Sequence, residues 1–224
     1  MGNSASQAAA LQTCLNQVFA ANPSAVGYPT GLLYQLQYVK PYNLDIPVTP
    51  AAVTRPSTAD EVAAVIRCAS ASNLKVQPRS GGHSFGNYGT LFLPPPPFLA
   101  NQEGPVEHNC LLGLGGQGED AVVIDLVNFQ QFSMDTATWQ ATIGAGTLLS
   151  DVTEKLHDAG GRAMAHGICL QVGIGGHATI GGLGPTSRMW GSALDHILEV
   201  EVALANGTVT RANSTQHPDL FFVR

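Results

Sequence analysis

Two short runs of this sequence carry residue types and spacings suited to holding an anion or a large flat ligand. The first is Arg79-Ser80-Gly81-Gly82-His83-Ser84. Adjacent glycines let backbone N–H groups close on an anion without interference from Cβ, and such a nest suits a pyrophosphate. Arg79 would add a positive charge and Ser80 a hydroxyl. By residue type alone the same run also serves as a plain turn after a strand, and His83 as an ordinary loop histidine. The second run begins at Cys169 and continues through Val172-Gly173-Ile174-Gly175-Gly176-His177 to Gly181-Gly182-Leu183-Gly184. Six glycines between positions 173 and 184 disfavour a regular helix or strand, because each loses more backbone freedom on ordering than any other residue. The stretch is nevertheless apolar and almost uncharged, unlike a solvated linker. Close packing against a flat ligand accounts for both properties. Neither run gives G-x-G-x-x-G between a strand and a helix, so the dinucleotide-fold reading fails.

The cysteines divide by setting. Cys14 and Cys68 each fall near the apolar face of an expected helix, where they could pair, and Cys110 lies in a segment without periodicity. Cys169 is a loop cysteine near His166, a setting that could favour a thiolate. No Cys or His pair shows ligand spacing, so no metal site is expected.

The elements that would position these residues can be read from periodicity. Residues 5–19 carry Ala9, Leu11, Leu15 and Val18 at helical spacing. Ser57-Thr58-Ala59-Asp60 opens a second amphipathic helix with Val62, Val65, Ile66 and Ala69 on one face. Strands are expected at 74–77, 121–126 and 140–143, and a third helix at 148–157, closed by Gly160-Gly161. Residues 197–204 alternate into a hairpin turn at Ala205-Asn206-Gly207 and out through 208–211. The order reads as an α+β domain. Residues 90–118, which contain Pro94-Pro95-Pro96-Pro97, show no period and are long for a loop in a compact domain. They read either as a surface insertion or as sequence retained through an imperfect gene model.

Composition bounds the function. A chain of 224 residues allows one large domain or two small lobes. Its net charge of -6 argues against nucleic-acid binding, which calls for a basic face. No apolar run reaches the roughly 18–20 residues that span a bilayer. The N-terminus lacks a basic start followed by a long apolar stretch, so no secretory leader is visible. Two Asn-x-Thr sequons occur, at Asn206-Gly207-Thr208 and Asn213-Ser214-Thr215.

The motifs PRSGGHSFGNYG (residues 78–89) and HGICLQVGIGGHATIGGLGPTSRMWGSALDHI (residues 166–197) together resemble the FAD-linked oxidases of the vanillyl-alcohol oxidase superfamily. Within it the chain is similar to the berberine-bridge-enzyme-like branch, and most to fungal oligosaccharide oxidases. The resemblance runs from Cys14 to Leu220, apart from the insertion. It implies a PCMH-type FAD-binding domain of two α+β lobes at residues 45–220, preceded by an N-terminal helix and lead-in over 1–44. It also implies bicovalent FAD. The residue matching His83 bonds the flavin 8α-methyl carbon, and the one matching Cys169 bonds ring carbon six through sulfur. Arg79, Ser80, Gly81, Gly82, His83 and Ser84 match the pyrophosphate loop. Gly144 and Gly146 match cofactor-lining positions, as do Val172, Gly173, Gly175, Gly176, Gly181 and Gly182. Asp195 and Ile197 resemble the strand entry near the flavin, and Val209 lies toward the adenine end. Cys14 and Cys68 match a family disulfide, which implies an oxidising compartment; relatives are typically secreted.

Family members run to roughly twice this length, and their substrate domain follows the point where residues 221–224 end this chain. That domain carries the catalytic base, so none is named here. The resemblance implies hydride transfer from a carbohydrate CH–OH group to FAD, with O2 as acceptor. Two alternatives stand beside it: a catalytically silent FAD-binding fragment, and an oxidase acting on a secondary metabolite.

Overall fold

The computed structural model describes residues 2–87 and 120–222, and the expected insertion at 90–118 lies outside them, as do Val223 and Arg224. The chain divides into two compact α+β units. One comprises Met1–Pro78, Ser84–Asp125 and Ala203–Val209; the other comprises Arg79–His83, Leu126–Val202 and Thr210–Arg224.

In the first unit, α1 (Gly2–Val18) packs on α2 (Ala59–Ala71), and α2 packs on the sheet at β4 (Ala121–Asp125). The sheet also contains β1 (Val26–Gly27), β2 (Ala52–Thr54) and β3 (Lys75–Arg79), in the order β1-β2-β4-β3. β1 runs antiparallel to β2, and β2 parallel to β4 with Val53 opposite Val123. Both central strands are buried along their whole length, which explains why β4 reads as a continuous apolar run. The polar member of β2, Thr54, is satisfied by donating its hydroxyl to the Val123 carbonyl at 3.1 Å. α2 starts where its cap predicts. The Thr58 hydroxyl accepts the Glu61 N–H at 3.2 Å, and the Glu61 carboxylate reaches back to the Ser57 N–H at 2.6 Å. Cys14 and Cys68 are joined as a disulfide with their Cα atoms 5.7 Å apart, fastening α1 to α2.

The second unit holds the hairpin β5 (Phe132–Asp135) and β6 (Gln140–Ile143), with Phe132 opposite Ile143. Then come α3 (Leu149–Asp158), α4 (Ile174–Thr179) and α5 (Ser187–Trp190). The hairpin β7 (Glu199–Ala203) and β8 (Val209–Asn213), whose tip from Ala203 to Val209 belongs to the first unit, and the short α6 (Pro218–Phe222) complete the order. The core gathers Leu149, Val152 and Leu156 of α3 with Ile174, Ala178 and Ala193, flanked by Phe132, Met134, Ile143, Met164, Val172 and Ile197. α4 departs from the expectation that glycine density disfavours a helix here. Ile174 and Ala178, one turn apart, both bury in this core. Burying an Ile-sized side chain contributes about 1.5–3 kcal/mol, enough to offset about 0.5–1 kcal/mol for each helical glycine. Among the described residues no helix is long and apolar enough to cross a membrane.

Candidate functional site

Most of the singled-out residues fall in the second unit. There, three segments distant in sequence meet at the Ala145 carbonyl. β3 ends at Arg79, whose carbonyl accepts the Leu126 N–H at 2.8 Å. The Ser80 hydroxyl then donates to the Ala145 oxygen at 2.5 Å, and the Gly175 N–H donates to the same oxygen at 3.2 Å. The Ile174 N–H adds a bond to the Thr147 carbonyl, and the Leu149 N–H one to the Val172 carbonyl, each at 2.9 Å. The Ser80 hydroxyl proton is thus taken by the Ala145 carbonyl, and this bond braces the loop.

The glycines sort into two classes. A Cβ on Gly81 would collide with the Gly173 amide nitrogen, and one on Gly173 would collide with the Ser80 hydroxyl and the Gly81 nitrogen. Gly144 and Gly146 press on the Phe129 and Leu126 carbonyls in the same way, and Gly175 on the carbonyl of Ala145. At these five positions the missing side chain is filled by backbone. Gly176 and Gly181 differ, because a Cβ there would meet nothing within 4 Å. Gly82 has φ +67° and lies over the aliphatic stem of the buried Arg79. Gly182, at φ +78°, backs onto Ala193 and His177. Gly181 and Gly182 are tied to the next loop by bonds from the Leu194 and Ala193 N–H groups at 2.9 and 3.0 Å.

Cys169 is an exposed free thiol in a turn closed by the Val172 N–H on its own carbonyl at 3.1 Å. Its neighbours Ile168 and Leu170 are also exposed, as are Ile180 and Leu183 beside the open Gly181. His166 engages the Thr153 hydroxyl at 3.1 Å and the Gly167 carbonyl at 2.7 Å, so both of its ring nitrogens have partners. His83 is half-buried at the end of the first loop. His177 accepts the Gly167 N–H on Nε2 at 2.9 Å. Burial, and then the charge of His166, hold it below the ordinary imidazole value. It is therefore a neutral structural histidine that no sequence signal marked beyond the glycine pair preceding it.

Asp195 locks its own loop. One carboxylate oxygen accepts the Ser192 N–H at 2.7 Å and the Ser192 hydroxyl at 2.8 Å, and these bonds, the backbone one foremost, hold its pKa below the usual carboxylate range. Val172 and Ile197 lie against the apolar core. Ser84 and Val209 fall in the first unit and are half-buried.

The two glycine-rich loops thus pack together, with His83 following one and the exposed Cys169 preceding the other. Comparison with known proteins gives the class. The sequence matches the family model described as "FAD binding domain" over residues 50–92 and 107–213, and the chain belongs to that family. It is 42% identical over 215 residues to the FAD-linked oxidoreductase sorD of Penicillium rubens, covering 96% of this chain and 40% of that protein. It is 34% identical over 182 residues to the xylooligosaccharide oxidase of Thermothelomyces thermophilus, covering 81% of this chain and 32% of the relative. Among solved structures, a xylooligosaccharide oxidase from Myceliophthora thermophila in complex with xylobiose superposes with a TM-score of 0.75 at 31% identity, covering 95% of this chain and 38% of that one. The glucooligosaccharide oxidase of Acremonium strictum, which carries a 6-S-cysteinyl, 8α-N1-histidyl FAD, superposes at 0.73 with 26% identity over 96% of this chain and 38% of its own. The chain thus spans about 40% of the length of the leading relatives. The fold is that of the PCMH-type, berberine-bridge-enzyme-like FAD-binding proteins, and the family relationship is to FAD-linked oxidoreductases that include carbohydrate oxidases.

Proposed function

We propose that this chain is the FAD-holding part of a carbohydrate oxidase and that it carries the cofactor on two covalent links, at His83 and Cys169. The observation that bears most weight is the meeting of the 79–83 loop with residues 144–147 and 171–176 on the Ala145 carbonyl. The residues fit a flat, anionic ligand. Backbone is left open at Gly176 and Gly181, a free thiol is exposed at Cys169, and the Gly81-Gly82 turn follows a buried arginine.

In this reading the Gly81 and Gly82 amides and the Arg79 guanidinium hold the pyrophosphate, as backbone nests hold anions elsewhere. The His83 imidazole and the Cys169 sulfur would both hold the ring by its benzenoid side. Asp195, bonded to Ser192, keeps the loop that follows the glycines in one conformation. His177, kept neutral, adds no charge beside it. FAD bound by these residues would supply the hydride-accepting chemistry for oxidising a carbohydrate CH–OH group, with O2 as the final acceptor, while the protein would contribute orientation and electrostatics. The base that would take the hydroxyl proton is not assigned to any residue here.

The decisive experiment expresses the chain, denatures it in acid, and measures flavin absorbance and intact mass. Retained flavin at the mass of one FAD supports the reading. Colourless polypeptide of bare mass would overturn it and leave a silent fragment of the family.

A further inference from the structure

The two sequons differ in what the fold does with their asparagines. Asn206 stands at the tip of the β7–β8 hairpin, in the three-residue loop between Leu204 and Thr208. There the Gly207 N–H bonds the Leu204 carbonyl and the Leu204 N–H bonds the Thr208 carbonyl, both at 2.8 Å. Gly207 takes the left-handed conformation that such loops need (φ +78°). The loop is pinned from below, since Gly207 is buried against Ala63 and Arg67 of α2 and the Arg67 guanidinium donates to its carbonyl at 3.0 Å. Asn206 itself is exposed. Its side-chain oxygen accepts the Thr208 N–H at 2.8 Å, and its amide nitrogen has no bond among the described residues. Asn213 is the opposite case. Its amide nitrogen donates to Glu199 at 2.9 Å, and its oxygen takes the Thr215 N–H, the Thr215 hydroxyl and the Gln216 N–H at 2.7–3.0 Å. A substituent on that nitrogen would displace the bond across the hairpin.

We propose that Asn206 is an N-glycan acceptor, and that it is occupied in preference to Asn213. The Cys14–Cys68 disulfide points to the oxidising route on which such transfer occurs. The donor is a lipid-pyrophosphate-linked oligosaccharide supplied by the host. A bond forms between the Asn206 amide nitrogen and the anomeric carbon, the carbon–oxygen bond to pyrophosphate breaks with its electron pair leaving on the phosphate, and the amide proton passes to solvent. The glycan emerges from a rigid tip whose neighbours are already satisfied, so the folded unit accommodates it without losing a hydrogen bond.

The test secretes the full chain from a yeast host behind a cleavable leader. Both medium and cell-associated protein are treated with peptide N-glycosidase in heavy-oxygen water, so that retention in the cell does not hide the result. Peptide mass spectrometry should find the labelled aspartate at position 206 in most molecules and at position 213 in a minority. Thr208→Ala should remove one glycan's mass from the intact chain, and Asn213→Gln should leave that mass unchanged. An unmodified Asn206, or higher occupancy at Asn213, would overturn the proposal.

Discussion

The amide nitrogen of Gly173 occupies the space that a Cβ of Gly81 would need, and the amide nitrogen of Gly81 occupies the space for a Cβ of Gly173. The two loops that carry His83 and Cys169 are therefore stacked backbone on backbone, each admitting the other only because neither has a side chain at the contact. Such reciprocal packing leaves little slack, since interiors transmit strain rather than absorb it.

Gly173→Ala should accordingly destabilise the chain by about 3 kcal/mol, the upper end of overpacking effects, and abolish flavin retention. Chemical denaturation of the purified variant and its absorbance after acid treatment provide the two readouts. A variant with wild-type stability and full flavin would show that the loops do not meet as described.

Gly176→Ala should behave in the opposite way. The position lies in α4 and a Cβ there meets nothing, so the apo chain should gain up to about 1 kcal/mol from the better helix former. If a flat ligand covers this backbone, flavin incorporation should fall all the same. A rise in apo stability with unchanged flavin content would place the ligand elsewhere.

The proposed links can be separated. Cys169→Ala should leave flavin attached through His83, and only the double variant with His83→Ala should release it on denaturation. Intact mass of the single and double variants reads this directly. Loss of all covalent flavin in the Cys169 single variant would sink the idea of independent links.

His177 titrates below the ordinary imidazole value because it is part-buried and near His166. Its folded pKa is thus lower than its unfolded one, so as pH falls through about 6.5 the unfolded state takes up the proton first and stability declines. The decline should level off only below the folded value. Melting temperature between pH 7.5 and 5 should therefore fall less steeply in His177→Gln than in the parent. An identical pH slope in both would remove His177 as the cause.

Removing the Cys14–Cys68 link, which closes a sequence separation of 54 residues, should lower stability by about 2–4 kcal/mol. Comparison of denaturation midpoints for the parent and the Cys14→Ser, Cys68→Ser double variant measures it.

Legibility in the sequence followed how local the determining interactions are. α2 was readable because its cap, Thr58 with Glu61, lies within four residues of its start. β4 was readable because burial on both sides leaves a run of apolar residues. β5 was not expected. Its four residues alternate between half-buried Phe132 and Met134 and exposed Ser133 and Asp135, too short a pattern to stand out, and it is fixed by pairing with β6. α4 was hidden for a related reason, since its helix is imposed by Ile174 and Ala178 packing on α3 rather than by its own composition. The site residues at 79–83 and 169–182 were legible as motifs. Which glycines pack on backbone and which stay open was not, because that depends on carbonyls such as those of Leu126, Phe129 and Ala145, which composition does not reveal.

The Ser80–Ala145 bond spans 65 positions, and Gly175 reaches the same carbonyl from the other side. Closing a loop of that size is slow relative to local structure, because its entropy must be overcome before any contact rewards it. Helices such as α2 and α3 can thus form well before the 79–83 turn finds its partner. Covalent flavinylation at His83 and Cys169 would then belong to the last stage of maturation, so a chain stalled earlier would accumulate with its helices in place and no yellow colour.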